Sequence, residues 1–225
     1  MDFDNPPPPP DEYTFDVRQA LGIEDDELFI LQPTRVVQRK GIEHAIELVH
    51  RLDRKAKLVI SHASGDEGWD YEQRLMEYSK LMKVNTIFVD DIINEERGTM
   101  PDGRKIYTLE DIYPYADLVT YPSTFEGFGN AFLETLYFKK PIVVNTYSIY
   151  IKDIKPKGFK VIEIDGYVTD KAVEKTKQIL DTPRLRQEMV DHDYALAKKY
   201  FSYTVLQQAL RNYMVTHNWL APDEC

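Results

Sequence analysis

The chain has 225 residues, 43% hydrophobic and 29% charged, the proportions of a globular protein able to bury a sizeable core in one domain or two. Its apolar runs, at 28–31 and 58–60, are strand-sized, which excludes a bilayer-spanning segment, and the lone cysteine, Cys225, excludes an internal disulfide framework and fits a reducing cytoplasm. The formal charge of −10 comes with no basic stripe interleaved with aromatics, which excludes nucleic acid as a partner.

Most of that charge lies at the beginning. Residues 1–30 hold nine acidic groups against Arg18, a net −8, leaving −2 for the rest. Residues 1–13, with five consecutive prolines from Pro6 to Pro10, read as a stiff polyproline II spacer. They lack the basic and apolar regions of a signal peptide. The natural reading of residues 1–14 is an interdomain linker or tail, with residues 15–225 as the folded domain.

A short helix is expected over 15–21, capped by Thr14 and stopped by Gly22. The apolar run at 28–32, ending at Pro33, suits the first strand of a buried parallel sheet. Ile42, Ala45, Ile46, Val49 and Leu52 recur at helical spacing over 41–52. A strand at 58–61, an amphipathic helix at 71–82 and a strand at 86–89 follow. The alternation pauses over 94–107, where Pro101-Asp102-Gly103 is a turn signature and a hairpin-like surface excursion is expected. A helix at 109–115 leads to a fourth strand at 117–121, a fifth at 141–145 and a sixth at 160–164. Beyond Thr169 the pattern is helical, over 171–180, 183–200 and 203–216. Strands alternating with helices of roughly 10 to 15 residues specify an α/β, doubly wound parallel sheet with helices on both faces. Ligands of such sheets bind at the carboxyl ends of the strands. That marks the loops after the first, third and fourth strands.

The loop after the fourth strand reads Y-P-S-T-F-E-G-F-G-N-A-F-L-E, from Tyr121 to Glu134. Gly127 and Gly129 permit positive φ and a close approach to a ligand, and a helix starting near Gly129 or Asn130 offers its free N–H groups to an anion such as phosphate. Glu126 and Glu134 bracket the turn. A carboxylate beside a phosphate repels it, so these two are better suited to accepting hydrogen bonds from hydroxyls. Phosphate and hydroxyls together point to a nucleotide sugar. After the first strand, Arg35 and Lys40 stand at the mouth of the next helix, where two cations can clamp a diphosphate.

Arg35 and Lys40 after strand one, followed by E-G-F-G-N-x-x-L-E after strand four, resemble the donor domain of retaining glycosyltransferases of family 4, which have the GT-B fold. The resemblance covers about 29–144, with a weaker helical echo near 201–213. It implies that Glu126 lies by the donor sugar ring and that Glu134 accepts from the ribose hydroxyls. The amides of Gly127, Phe128, Gly129 and Asn130 would meet the sugar or its phosphates, and Arg35 and Lys40 would neutralise the departing diphosphate. The base would be held through backbone groups near 89–92, including Asp91 and Ile92, which leaves UDP-, GDP- and ADP-sugars open as donors. Metal-independent transfer without a cofactor is implied, and the five histidines (His44, His50, His62, His192, His217) show no metal spacing. A GT-B enzyme closes its active site against an N-terminal acceptor domain. That domain would be a missing part of the same polypeptide, and the chain by itself would bind a donor and transfer nothing.

Two departures from the family pattern stand out. The excursion at 94–107 is long, and Y-S-I-Y-I-K-D-I-K-P-K-G replaces the acidic-glycine pattern after strand five. Other readings stay open: a noncatalytic nucleotide-binding module of flavodoxin-like shape, or half of a sugar-nucleotide epimerase or phosphorylase. D-F-D at Asp2–Asp4 and D-H-D at Asp191–Asp193 resemble metal-binding aspartates of the other glycosyltransferase fold, but neither follows a strand.

Overall fold

The computed structural model describes residues 1–62, 69–89, 91–217 and 219. Its main sheet has six strands: β1 (Leu28–Gln32), β2 (Ala56–Ile60), β3 (Asn85–Phe88), β6 (Leu118–Tyr121), β7 (Ile142–Asn145) and β8 (Ile162–Ile164). All neighbours are parallel and the order is β3-β2-β1-β6-β7-β8. The chain therefore winds outward from β1 to β3, returns to the middle at β6 and winds the other way. The switch point lies between β1 and β6, where the connections leave in opposite directions and open a crevice.

Strand side chains alternate between two layers. Ile30, Leu58, Ile60 and Leu118 pack toward α2 (Ile42–Leu52), α3 (Trp69–Met82) and α6 (Asp170–Asp181). Phe29, Leu31, Val59, Val119 and Tyr121 face the other way, toward α1 (Val17–Ala20), α4 (Leu109–Ile112) and α5 (Asn130–Tyr137). α7 (Pro183–Phe201) packs across α5 and α6, and α8 (Tyr203–Thr216) follows it with no buried residue. The expected doubly wound sheet with helices on both faces is the fold observed.

Some boundaries differ. β2 begins two residues earlier than its apolar run, because Lys57 is buried with its ammonium on the Gly22 carbonyl and near Glu27, at 3.7 Å. The first helix is a single turn, and Thr14 does not cap it. The Thr14 hydroxyl instead lies 3.0 Å from the Tyr115 hydroxyl and donates to the Asp11 carbonyl at 3.0 Å. The excursion is a hairpin, with β4 (Gly98–Thr99) antiparallel to β5 (Lys105–Ile106). The second departure, after β7, forms a π-type turn over Tyr150–Ile154 and a 3₁₀ turn over Lys155–Lys157.

Residues 1–14 are not a free spacer. The proline run is largely exposed, but Phe3 is fully buried, its ring edge-on to Tyr137 at 5.6 Å and to Tyr194 at 5.8 Å. Asp4 Oδ2 accepts the Thr204 N–H at 2.9 Å. At the other end the Tyr13 hydroxyl reaches the Gly98 and Ile106 carbonyls at 2.7 and 2.8 Å, while Arg97 bridges Asp11 and Asp111. A polyproline segment has no internal hydrogen bonds, so aromatic and charged side chains outside it do the anchoring. The two aspartate-rich motifs have local duties: Asp2 accepts from Asp4 and Asn5, and buried Asp193 accepts the Lys160 N–H at 2.7 Å.

Phe3→Ala should lower stability by about 3 kcal/mol, the cost of emptying an aromatic site, whereas Pro8→Ala should stay within about 0.5 kcal/mol, as exposed substitutions do. Urea unfolding midpoints of the two variants check this.

Candidate functional site

The loops leaving β1 and β6 meet across the switch point. Gly41, at φ +58°, sits so close to the neighbouring loop that a Cβ there would stand 2.6 Å from the Pro122 carbonyl oxygen. Thr124 donates its N–H and its hydroxyl to the Arg39 carbonyl, at 2.8 and 3.1 Å. These contacts bring a short 3₁₀ turn, Gln38–Lys40, against the motif loop. The Lys40 ammonium donates to Glu126 Oε1, and Arg39 reaches the same oxygen at 3.3 Å. Both Lys40 and Glu126 are buried. Burial acts to raise the Glu126 carboxyl, but the Lys40 and Arg39 cations outweigh it and hold the group below its ordinary value.

Of the two glycines, Gly129 alone has positive φ, at +100°, and a Cβ on it would meet the Tyr121 hydroxyl at 2.6 Å. Gly127 does not need positive φ, and a Cβ on it would face open space. Phe128 turns its ring onto Phe201, 5.1 Å away, and its carbonyl accepts from the Tyr147 hydroxyl at 2.8 Å. With that ring tied down, the backbone of the turn is left toward the crevice. α5 starts at Asn130 with no side-chain cap, so its first N–H groups remain available to an anion.

Glu134 lies one turn into α5, and its Oε2 accepts from the Tyr113 hydroxyl at 3.0 Å. Oε1 has no hydrogen bond among the described residues. Burial raises the Glu134 carboxyl, opposed by the Tyr113 hydrogen bond. The two glutamates of the motif are thus tuned in opposite directions, one toward ionisation and one against it.

A cleft of about 430 Å³ collects these groups. It is lined by Arg35, Lys40, Glu126, Gly127, Phe128, Gly129, Asn130 and Glu134, joined by Thr34, His62, Leu109 and Tyr121. Residues that the sequence separates into two loops therefore share one wall. Asp91 and Ile92 do not join them. Asp91 pairs with Arg104 at 2.8 Å, and Ile92 is buried, its N–H on the Val89 carbonyl and its own carbonyl taken by the Tyr107 N–H. The base-side expectation at 89–92 also includes Asp90, which lies outside the described residues. Beside the cleft, a second cavity of about 620 Å³ is lined by Ser61, Asn94, Glu95, Thr108 and Glu110 and shares His62 and Leu109 with the first.

Residues 14–195 match the sequence model of the glycosyl transferases group 1 family. The chain belongs to that family. Among curated relatives, the mannosylglucosylglycerate synthase of Petrotoga mobilis is 34% identical over 68% of the chain, and that of Thermotoga maritima 30% identical over 93%. The matches cover 39% and 54% of those two proteins, so the chain spans about half their length or less. Among solved structures, Anabaena HepE in complex with UDP-glucose superposes with a TM-score of 0.74 over 96% of this chain and 56% of that one, at 14% identity. The C-terminal domain of LpcC, a glycosyl transferase group 1 family protein of Francisella tularensis, superposes with a TM-score of 0.65 over 90% of this chain and 99% of that one, at 18% identity. At those identities the likeness is one of fold.

Sequence reasoning missed Arg39, which reaches Glu126, and His62 and Tyr121, which line the cleft. Arg39 adjoins Lys40 in a basic turn, and Tyr121 ends a strand, both visible cues. His62 follows β2, a strand whose carboxyl-end loop was not among those singled out.

The opposed glutamates make a test. Glu126, held low, contributes stability present above the unfolded value of about 4.3 and lost as pH falls through its folded value. Glu134, held high, costs stability as pH rises through the same region. Glu126→Gln should destabilise by about 1–3 kcal/mol at neutral pH, leaving Lys40 without its charged partner, with the deficit shrinking in acid. Glu134→Gln should be neutral or stabilising at neutral pH. Urea unfolding across the acid range reads both slopes.

Proposed function

We propose that this chain is the donor-binding half of a retaining glycosyltransferase that moves a hexose from a nucleotide-diphosphate sugar to a hydroxyl acceptor. The observation that carries the reading is the convergence of Arg35, Lys40, an uncapped helix start and two carboxylates in one cleft at the switch point. Cations and helix amides suit the diphosphate, and carboxylates suit hydroxyls. Glu134 takes the ribose hydroxyls on its free oxygen. Glu126, kept ionised by Lys40, contacts the sugar, and the amides of Gly127, Phe128, Gly129 and Asn130 meet the sugar or its phosphates. Arg35 and Lys40 balance the charge that grows on the leaving diphosphate as the glycosidic bond breaks. Transfer is metal-independent and uses no cofactor.

On this proposal residues 1–14 are the linker to an acceptor-binding domain, and residues 15–225 are the donor domain. The fraction of the curated relatives that is matched and the fit to an isolated C-terminal domain both support that division. The protein would work in the cytoplasm, in keeping with its single cysteine. Among the described residues no helix is long and apolar enough to cross a membrane. HepE in complex with UDP-glucose supports a nucleotide sugar as the ligand class and leaves the base open here.

Calorimetric titration of the chain with UDP, GDP and ADP should give binding to at least one of them, weakened roughly tenfold or more in Glu134→Ala, a loss on the scale of a hydrogen bond to a charged group. No sugar transfer is expected from the chain alone. Absence of binding to all three nucleotides would sink the reading.

A further inference from the structure

His62 is a side chain that the two cavities share. It lies two residues beyond β2, half-buried, with Nδ1 2.8 Å from the Ser61 hydroxyl. Ser61 is itself 1% exposed, and its backbone N–H donates to the Gln32 carbonyl at 3.3 Å, so the sheet holds it in place. Burial, and then the Arg35 and Lys40 cations, keep the imidazole below the ordinary histidine value, so the ring is neutral at neutral pH. The carboxylates facing the same space are Glu126 and Glu134 around the first cavity and Glu95 and Glu110 around the second.

We infer that His62 is a diphosphate-binding residue at the joint between the two cavities. With Ser61 donating to Nδ1, the ring proton sits on Nε2 and is given as a hydrogen bond to a non-bridging oxygen of the diphosphate. The inference rests on the donor-site reading above, and supplies a further hydrogen-bond donor in the cleft that Arg35 and Lys40 line. It has a second consequence. The imidazole stays neutral because it is partly desolvated among cations, and a bound dianion reverses that balance. Binding therefore draws a proton onto His62, and affinity rises as pH falls. The diphosphate of a nucleotide sugar is a diester that does not titrate near neutrality, so this dependence belongs to the protein.

The test is calorimetric titration of the chain, His62→Ala and His62→Gln with UDP-glucose, GDP-mannose and ADP-glucose at about pH 6 and about pH 8, either side of the imidazole range. For a nucleotide sugar that the chain binds, His62→Ala should weaken affinity roughly tenfold at the lower pH. His62→Gln, which keeps a donor but takes up no proton, should recover most of the affinity at the higher pH. Neither variant should keep the rise in affinity on acidification. Equal affinities of the chain and His62→Ala at both pH values overturn the assignment of His62 while the donor site stands. Failure of the unsubstituted chain to bind any of the three compounds overturns the donor site, and the assignment of His62 with it.

Discussion

The site depends on the contact between the loops leaving β1 and β6. Adjacent parallel strands whose connections depart to opposite faces leave a gap between them, and in this chain the gap is closed from below by backbone. Gly41 lies against the Pro122 carbonyl with no room for a side chain, and Thr124 bonds to the Arg39 carbonyl. Lys40 and Glu126 then face each other as a buried pair. Such a pair is weak support for stability in itself, since desolvation offsets most of the attraction. Its effect is positional: neither loop can shift without leaving a buried charge unpaired.

That contact also divides the electrostatics of the cleft. Glu126, against two cations, is held ionised, and Glu134, half-buried beside a tyrosine hydroxyl, is pushed toward its neutral form. Two carboxylates eight positions apart along the chain thus become chemically different groups. Paired titratable groups pushed apart by their surroundings are common at functional sites. The remaining cations, amides and aromatic braces hold the turn between the two glutamates, with Tyr121 beneath Gly129 and Tyr147 on the Phe128 carbonyl.

Away from the cleft, the less regular segments are tied to one another. Tyr13 fastens the hairpin of β4 and β5, Phe3 enters the core between α5 and α7, and Asp4 bonds the first turn of α8. A sequence of prolines and acids carries no periodic signal, so the reading of a bare spacer there was reasonable and incomplete. A single buried aromatic changes the status of the segment, and nothing local distinguishes Phe3 from exposed Phe15.

By itself the sequence determined the alternation of strands and helices, the six-stranded sheet and the two motif loops, because each rests on local chemistry: side-chain periodicity, a glycine that alone tolerates the turn, a proline ending a strand. The resemblance carried by Arg35, Lys40, Glu126 and Glu134 was legible for the same reason. Tertiary structure alone decided the partners. Lys40 and Glu126 are 86 positions apart, and neither residue shows that it is the other's counter-ion. It also decided that Ile92 is spent on the core and that His62 lines both cavities. Periodicity says which face of an element is buried. It does not say what waits on the other side, and the charge, burial and reach of every group in this cleft are set by that neighbour.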